Sequence, residues 1–475
     1  MKPSGSLPVA WRRRWLSVRA YLIPLAVLLC VTLPHLDQGD WRTDTARYAA
    51  VGLQAWDTGE FADLYHAPGE HYFKKPPLGM WIHGLALHVF GVDLVIARLP
   101  TVLAAAVCVL ATVWLVRAVH GRGVALGAGL ALALSYEFFR RVREVSLDMW
   151  QLAFMLIAAG FLLRALIRGG VWRAVLGGVF VGLALMTKPL VGLLVPVMLG
   201  GWALASGNAK RAWLGGVAAV VGVLVALPWH GLMIARHGDA FIDVYFKGEI
   251  ADRAAGEIVT EPWWYYLGML AQTGWPWLAF AVVGMVWLVK SGRLGRSASG
   301  PWLAVIWTVC WLVLLSVFPD KRPRYLMPAL VGLAWLAGAF LAAGPLQGGR
   351  RLVRTLLEPA VAVGVLGAAV FAVLPVRVQE PPDPDWIAVF EQLEDLQLER
   401  VVTIGANSNQ RARFYVSGFT WPEAWDGRDI GELEAGTVVL RRGNSIETER
   451  ERRFFKSGIL KLSRVRAESQ DQERY

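Results

Sequence analysis

Long stretches of this chain carry almost no charge, and that feature limits its fold more than any other. Residues 20–36 contain no Asp, Glu, Lys or Arg, and comparable apolar runs cover roughly 77–92, 99–119, 124–139, 147–167, 171–186, 190–205, 213–235, 263–289, 301–318, 326–343 and 356–374. A membrane span needs ~20 apolar residues, so the longer runs read as transmembrane helices and the shorter ones fall below that length. A length of 475 residues would otherwise point to about three soluble domains. The composition excludes them: 55% of residues are hydrophobic and only 18% charged, against about 45–50% and about 25% in soluble domains. Disorder, collagen, coiled coil and a disulfide scaffold fall on the same grounds. The 23 tryptophans fit a chain with many membrane–water boundaries. The net charge of +11 would raise nucleic-acid binding in a soluble protein; here positive-inside topology and anionic headgroups account for it. Cys30, Cys108 and Cys310 lie in apolar runs and read as small buried hydrophobes rather than ligands or bridges.

The first run follows Arg12, Arg13, Arg14 and Arg19. No A-x-A-like cleavage site follows it, so it reads as a retained first span with a cytoplasmic N-terminus. Lys210, Arg211 and the basic stretches 290–296 and 350–354 mark cytoplasmic loops. Counting from them places residues 37–76, 239–261, 320–324 and the C-terminal tail outside, with Asp148 and Lys188 near the outer surface. Two conflicts arise. Three runs separate 37–76 from Asp148 where parity needs an even number, so one run is split or incomplete. Arg140, Arg141 and Arg143 also fall on the outer side, against the rule. After Val376 the composition turns polar. The tail reads as a small α/β domain, with a helix at 385–398 and strands at 400–404, 437–440 and 459–462. The chain therefore divides into a membrane domain, 1–375, and a soluble domain, 376–475. No internal repeat is evident.

Charges beside a bilayer are costly and mark candidate sites. Asp44, Arg47 and Tyr48 follow the first span; if helical, Asp44 and Tyr48 share a face. A carboxylate there could take a proton from a hydroxyl nucleophile, and the plainer account is an interfacial ion pair. Lys74 and Lys75 stand between Tyr72-Phe73 and Pro76-Pro77, a helix-starting pair. Lysine at this depth suits a phosphate, and snorkelling is the plainer account. Asp148 opens one run, and Lys188-Pro189 interrupts another. The stretch 243–264 mixes both signs with aromatics, as a mobile substrate cover or a solvated loop would. Segment 320–325 adds Lys321, Arg322 and Arg324 at another outer boundary, a cationic excess that suits an anionic ligand. No G-x-x-x-x-G-K-[ST] and no G-x-G-x-x-G between strand and helix is present, so a lipid-borne donor fits better than a nucleotide sugar.

These motifs occur in a family's order. Asp44-Thr-Ala-Arg-Tyr48, Tyr72-Phe-Lys-Lys75-Pro-Pro77, Ser146-Leu-Asp148, Thr187-Lys188, Glu261-Pro-Trp-Trp-Tyr-Tyr266 and Lys321-Arg-Pro-Arg-Tyr325-Leu-Met-Pro328 together resemble the bacterial aminoarabinose transferases and protein O-mannosyltransferases. The resemblance spans about residues 10–375. It implies an all-α polytopic membrane protein of the GT-C fold, with about 11–13 transmembrane helices and a small C-terminal α/β periplasmic domain. It implies a glycosyltransferase that uses polyprenyl-phosphate sugars in the bacterial inner membrane. By motif position, Asp44 matches the family's catalytic base and Asp148 a second acid. Lys75, Lys188 and Arg253 match donor-phosphate ligands, and Tyr72 and Tyr325 match aromatics lining the site, beside Arg47 and Tyr48. The family pattern has a metal site made from a Glu before the phosphate-binding lysine and a loop histidine. Here those positions hold Lys74 and Glu249. A protonated lysine ligates no cation, so no metal or other cofactor is expected, and aminoarabinose itself becomes a weaker expectation.

The expected reaction moves a sugar, pentose or hexose, from the lipid donor to an acceptor hydroxyl, with inversion. The acceptor is a lipid A-like glycolipid, another envelope glycan or a protein, and no nucleic acid is involved. The alternative is a transporter or flippase for an anionic polyprenyl lipid. It fits less well, because transporters place key charges at the bilayer midplane between repeats.

Overall fold

The computed structural model describes residues 9–34, 36–41, 43–67, 69–255, 260–290, 299–343, 384–394, 401–404, 423–424, 437–442, 451–457 and 460–465. The apolar run at 356–374 and the basic stretch 350–354 lie outside them. The chain divides into two compact units: Met1–Leu36, Phe73–Gly79 and Thr101–Val376 form one, and Asp37–Tyr72, Met80–Pro100 and Arg377–Tyr475 the other.

The first unit is helical. Its elements are α1 (Val9–Thr32), most of α4 (Leu94–Val116), α5 (Arg122–Ala133), α6 (Tyr136–Val142), α7 (Leu147–Arg168), α8 (Val171–Leu185), α9 (Leu194–Ala205), α10 (Trp213–Ile242), α11 (Asp252–Ala255), α12 (Tyr265–Thr273), α13 (Trp277–Lys290), α14 (Ser299–Val317) and α15 (Met327–Ala343). Among the described residues, four helical stretches are long and apolar enough to cross a membrane, or five if the bent pair α12–α13 is one span. The shorter apolar helices of this unit include α5, α8 and α9. This is a multi-pass membrane protein. The apolar window of α7 is 78% buried and that of the α10 stretch only 28%. α7 is therefore an interior helix, whereas α10 shows Val220, Leu224 and Leu227 outward at helical spacing, a stripe suited to lipid.

Three features of this unit bear on the sequence reading. The run 124–139 is not one helix: it breaks at Leu134–Ser135 between α5 and α6. At 12 residues α5 is about 18 Å long, too short for a ~30 Å hydrocarbon core. The run 263–289 is likewise two helices bent by 112°, because Gly274 and Pro276 interrupt the ladder. The outward-assigned arginines have local work. Arg143 is buried and donates to the carbonyls of Val31 (3.1 Å) and Pro34 (2.8 Å) at the end of α1, groups that the helix itself leaves unpaired. Arg141 pairs with Glu144 at 2.6 Å.

The second unit contains α2 (Thr43–Thr58), a short antiparallel hairpin of β1 (Tyr65–Ala67) and β2 (Glu70–His71), the body of α3 (Leu78–Phe90) and the start of α4. α2 crosses α3 at two glycines: a Cβ on Gly52 would lie 2.1 Å from the Met80 carbonyl oxygen, and one on Gly84 would meet Gly52 backbone at 2.1 Å. Only glycine permits that approach. Trp56 Nε1 donates to Trp81 O (2.9 Å), and Trp81 Nε1 to Phe61 O (3.1 Å), locking the crossing.

In the C-terminal part, α16 (Pro384–Glu394) accompanies a five-stranded sheet of order β4-β3-β5-β7-β6. The strands are β3 (Val401–Ile404), β4 (Glu423–Ala424), β5 (Val438–Arg442), β6 (Glu451–Ser457) and β7 (Leu460–Val465). β3 runs parallel to β4 and β5, and β7 antiparallel to β5 and β6. Trp386, Val389 and Leu393 on one face of α16 pack with Val401, Val438 and Leu440 as its core.

Candidate functional site

The first unit encloses a cavity of about 430 Å³, within the usual range for small-molecule sites. One hydrogen bond explains how distant motifs reach it. The N–H of Leu78, behind the Pro76-Pro77 pair, donates to the Met186 carbonyl at 3.0 Å. The segment carrying Lys75 is thereby tied to the end of α8, two residues before Lys188, and both lysines line the cavity.

Each lysine has a carboxylate partner. Lys75 Nζ pairs with Glu249 Oε2, and both side chains are buried. Lys188 Nζ donates to Asp148 Oδ1 at 2.6 Å, with side chains 8% and 11% exposed. Both lysines are thus held by carboxylates inside the protein instead of extending along its surface. Asp148 sits in the first turn of α7, whose N-cap Ser146 accepts from Met149 N at 3.3 Å; the helix N-terminus adds to its stabilisation. Arg324 Nε lies 4.0 Å from Asp148 Oδ2, and Lys188 Nζ stands 5.1 Å from the centre of the Tyr325 ring, within cation–π range. Gln151 donates to the Lys188 carbonyl at 3.3 Å.

The segment 319–325 is held from α12. Tyr266 OH donates to the Arg322 carbonyl and accepts from the Arg322 N–H, each at 3.1 Å. Buried Lys321 donates to the Glu261 carbonyl at 2.9 Å, and the Glu261 N–H donates to Pro319 O at 3.1 Å. Of the cations that break the positive-inside rule here, Lys321 therefore serves the backbone, and Arg324 lines the cavity.

The stretch 243–264, read as a cover or a loop, is helical in its first half. Asp243–Ala251 continues α10 as a π-helix after a kink at Gly238, whose φ is +50°; π-turns concentrate at functional sites. Tyr245 and Glu249 form its buried face, and the Asp243–Lys247 pair its exposed face. These two i,i+4 pairs are the signal for a helix that charge content obscured. Tyr245 OH is 2.8 Å from His230 Nε2.

Buried Asp320, which accepts from Arg322 Nε at 3.3 Å, also lines the cavity, and the rest of the wall is apolar, with Leu152, Met155, Leu194, Trp311, Leu314 and Phe318. The lining thus combines a bonded group of cations and carboxylates with a hydrocarbon wall. The structure thus gathers Lys75, Asp148, Lys188 and Tyr325 around one cavity. It adds Glu249, Gln151, Tyr266 and Arg324 to the lining. Arg324 was legible as a cation on the wrong side; Gln151 gave no signal, lying one turn after Asp148 in an apolar helix. The Arg253 side chain lies outside the described residues.

Asp44, Arg47, Tyr48 and Tyr72 belong to the second unit. Asp44 is in the first turn of α2, and Arg47 Nη1 lies 3.4 Å from its Oδ1. Tyr48 is buried one turn on. Tyr72 is buried after β2, its N–H donating to Leu64 O at 2.6 Å.

Comparison with known proteins follows this geometry. Residues 74–230 match the family described as dolichyl-phosphate-mannose-protein mannosyltransferase, and residues 260–406 the Alg9-like mannosyltransferase family. The chain is 30% identical over 341 residues to undecaprenyl phosphate-alpha-4-amino-4-deoxy-L-arabinose arabinosyl transferase 1 of Pseudomonas fluorescens (strain Pf0-1), covering 68% of this chain and 58% of the relative. It is 31% identical over 334 residues to the corresponding Pseudomonas aeruginosa transferase (strain PAO1), covering 67% and 58%. The chain thus spans somewhat over half the length of these relatives. In structure it resembles ArnT from Cupriavidus metallidurans bound to undecaprenyl phosphate, with a TM-score of 0.73 at 18% identity over 96% of this chain and 98% of that one. It also resembles the archaeal oligosaccharyltransferase AglB from Archaeoglobus fulgidus, with a TM-score of 0.60 at 12% identity over 91% and 70%.

Proposed function

We propose, from the premise that this chain belongs to the GT-C-fold family of aminoarabinose transferases and protein O-mannosyltransferases, that it transfers a sugar from a polyprenyl-phosphate donor to an acceptor hydroxyl. The cavity carries this reading, because its lining holds cations, carboxylates and a hydrocarbon wall together. Lys75, Lys188 and Arg324 would meet the phosphate, with Arg253 as a further ligand. The prenyl chain would lie along Leu152, Leu194, Leu314 and Phe318. Asp44 would take the acceptor hydroxyl proton while its oxygen attacks the anomeric carbon from the face opposite the phosphate. The carbon–oxygen bond to phosphate breaks as the new one forms, and the lipid phosphate leaves with both electrons. The cations stabilise the charge that grows on it. The protein would work in the bacterial inner membrane with its site and residues 376–475 on the periplasmic side.

The named relatives carry 4-amino-4-deoxy-L-arabinose, so a pentosyl donor of that type is the first to assay, with hexosyl donors beside it. The acceptor is a lipid A-like glycolipid, an envelope glycan or a protein. We propose that no divalent ion is held at the two positions where the family pattern places one. Lys74 is an exposed ammonium, and the Glu249 carboxylate is held by Lys75; the pair leaves no ligand set at those two positions.

The test is purified protein in proteoliposomes with radiolabelled undecaprenyl-phosphate sugar and extractable acceptors. Transfer of label to an acceptor supports the reading. Movement of the lipid between leaflets with no new bond would replace it by the flippase. A binding prediction accompanies it. Glu249→Gln removes the carboxylate that competes with phosphate for Lys75, so undecaprenyl phosphate should bind several-fold more tightly, whereas Lys75→Ala should bind it at least ~10-fold more weakly. Equal affinity in both variants, measured by titration in detergent, would remove Lys75 from the phosphate site.

A further inference from the structure

Where α8 ends, the chain does something that its sequence gives no reason to expect. Thr187 N and Lys188 N still bond to Ala184 O at 3.1 Å, and Pro189 then stops the helix. The next residue, Leu190, has φ +59° and ψ −39°. Among the described residues it is the one non-glycine residue with positive φ. Val191 N donates to Pro189 O at 2.7 Å across it. A three-residue turn closed in this hand is the rare and strained γ-turn, and a γ-branched side chain is poorly suited to it. Glycine would fit without strain. Strain of this kind persists only where the surroundings enforce it, and it clusters at functional sites.

The surroundings show what the turn accomplishes. It reverses the chain in the space of one residue, so that Lys188 and Leu190 both face the cavity. The Lys188 ammonium reaches Asp148, and the Lys188 carbonyl takes the Gln151 amide. Leu190 is 51% exposed although it is a large hydrophobe on an inner wall. From there Leu193 N returns to Leu190 O at 2.9 Å, and α9 begins at Leu194, another wall residue. The turn thus places a charged and an apolar lining residue, Lys188 and Leu190, two positions apart on the cavity wall.

We propose that Leu190 is a positioning residue for the lipid donor: its strained turn fixes Lys188 for the phosphate, and its side chain makes the first apolar contact with the prenyl chain. This rests on the reading of the cavity as a polyprenyl-phosphate site. Three variants separate the parts, with undecaprenyl phosphate as the probe, the thermal midpoint in detergent as the measure of strain, and donor turnover split into kcat and KM. Leu190→Gly relieves the strain and deletes the side chain. Its midpoint should rise by ~2 °C, its affinity should fall ~20-fold, and its kcat should fall as well, because glycine also samples other conformations and holds the Lys188 segment less firmly. Leu190→Ala keeps the Cβ and the strain, so the midpoint should not rise. Affinity should fall ~5-fold with kcat retained. Leu190→Met keeps both strain and apolar length and should bind like the parent.

A raised midpoint in Leu190→Gly with unchanged affinity and kcat would overturn the proposal, since the strain would then be merely tolerated. A lowered midpoint in Leu190→Gly would also overturn it, by showing no strain to relieve. Should the parent itself fail to bind undecaprenyl phosphate, the donor reading falls; a rise in the Leu190→Gly midpoint would still confirm the strained turn, without its assignment to a lipid.

Discussion

Asp44→Asn is expected to lower donor turnover by ~10²–10⁴-fold, the usual contribution of a positioned general base, while undecaprenyl phosphate binds within about twofold of the parent. The carboxylate stands in the first turn of α2 with Arg47 Nη1 at 3.4 Å. Asparagine keeps the shape and one acceptor oxygen for Arg47 but cannot take a proton at neutral pH. The phosphate ligands named above lie on other segments, so binding should survive. Single-turnover transfer alongside equilibrium binding makes the distinction. Near-parental turnover in Asp44→Asn would end the general-base assignment and leave the Asp44–Arg47 pair as a structural contact.

Lys188→Met is expected to have the largest effect on stability. Removing one partner from a buried ion pair costs about 3–5 kcal/mol, mostly because the other charge is stranded. Asp148 is only 11% exposed, so it cannot recover full hydration. Arg324, 4.0 Å away, compensates in part, which puts the loss near the lower end, ~3 kcal/mol. The double variant Lys188→Met/Asp148→Asn removes both charges and should regain most of the loss. Donor binding should stay impaired in both, because the phosphate ligand is gone in both. Unfolding in detergent for the two singles and the double gives the coupling directly. Additive losses would show that the pair does not interact in solution.

The physical reason that so much of the architecture could be read from residues is local periodicity. The four-residue strand Val401–Ile404 follows from β-branching near the expected position. Strand Val438–Arg442 and strand Leu460–Val465 also overlap their expected segments. Charge content misled at 243–251, where two i,i+4 pairs make a helix. Single apolar runs concealed the break at Leu134–Ser135 and the 112° bend before Trp277, because hydropathy registers depth and not direction.

The site divides along the same line. Lysines beside bilayer-depth hydrophobes were visible as costly. Asp148 and Lys188, both near the outer surface, stand out together and do pair, whereas the Lys75–Glu249 pairing across 174 residues left no signal. The arginines that contradicted the topology rule are intelligible only once Arg143 is seen closing the carbonyl end of α1. The turn at Leu190 leaves no trace in composition at all, because strain is imposed by the neighbours and not declared by the residue.

The prior engagement of both cavity lysines bears on competition in a crowded bilayer. Anionic phospholipids outnumber any polyprenyl lipid and present the same kind of phosphate. An ammonium already bound to a carboxylate gains little by exchanging it for a phosphate, so charge alone does not draw these abundant lipids in. What remains to discriminate is the tail: one branched chain that must thread past Leu190 to the wall of Leu152, Leu194 and Phe318, against two straight chains. In the proposed reaction, self-neutralisation in the resting protein thus acts as a filter, trading affinity for the ability to select a scarce lipid from a solvent made of lipids.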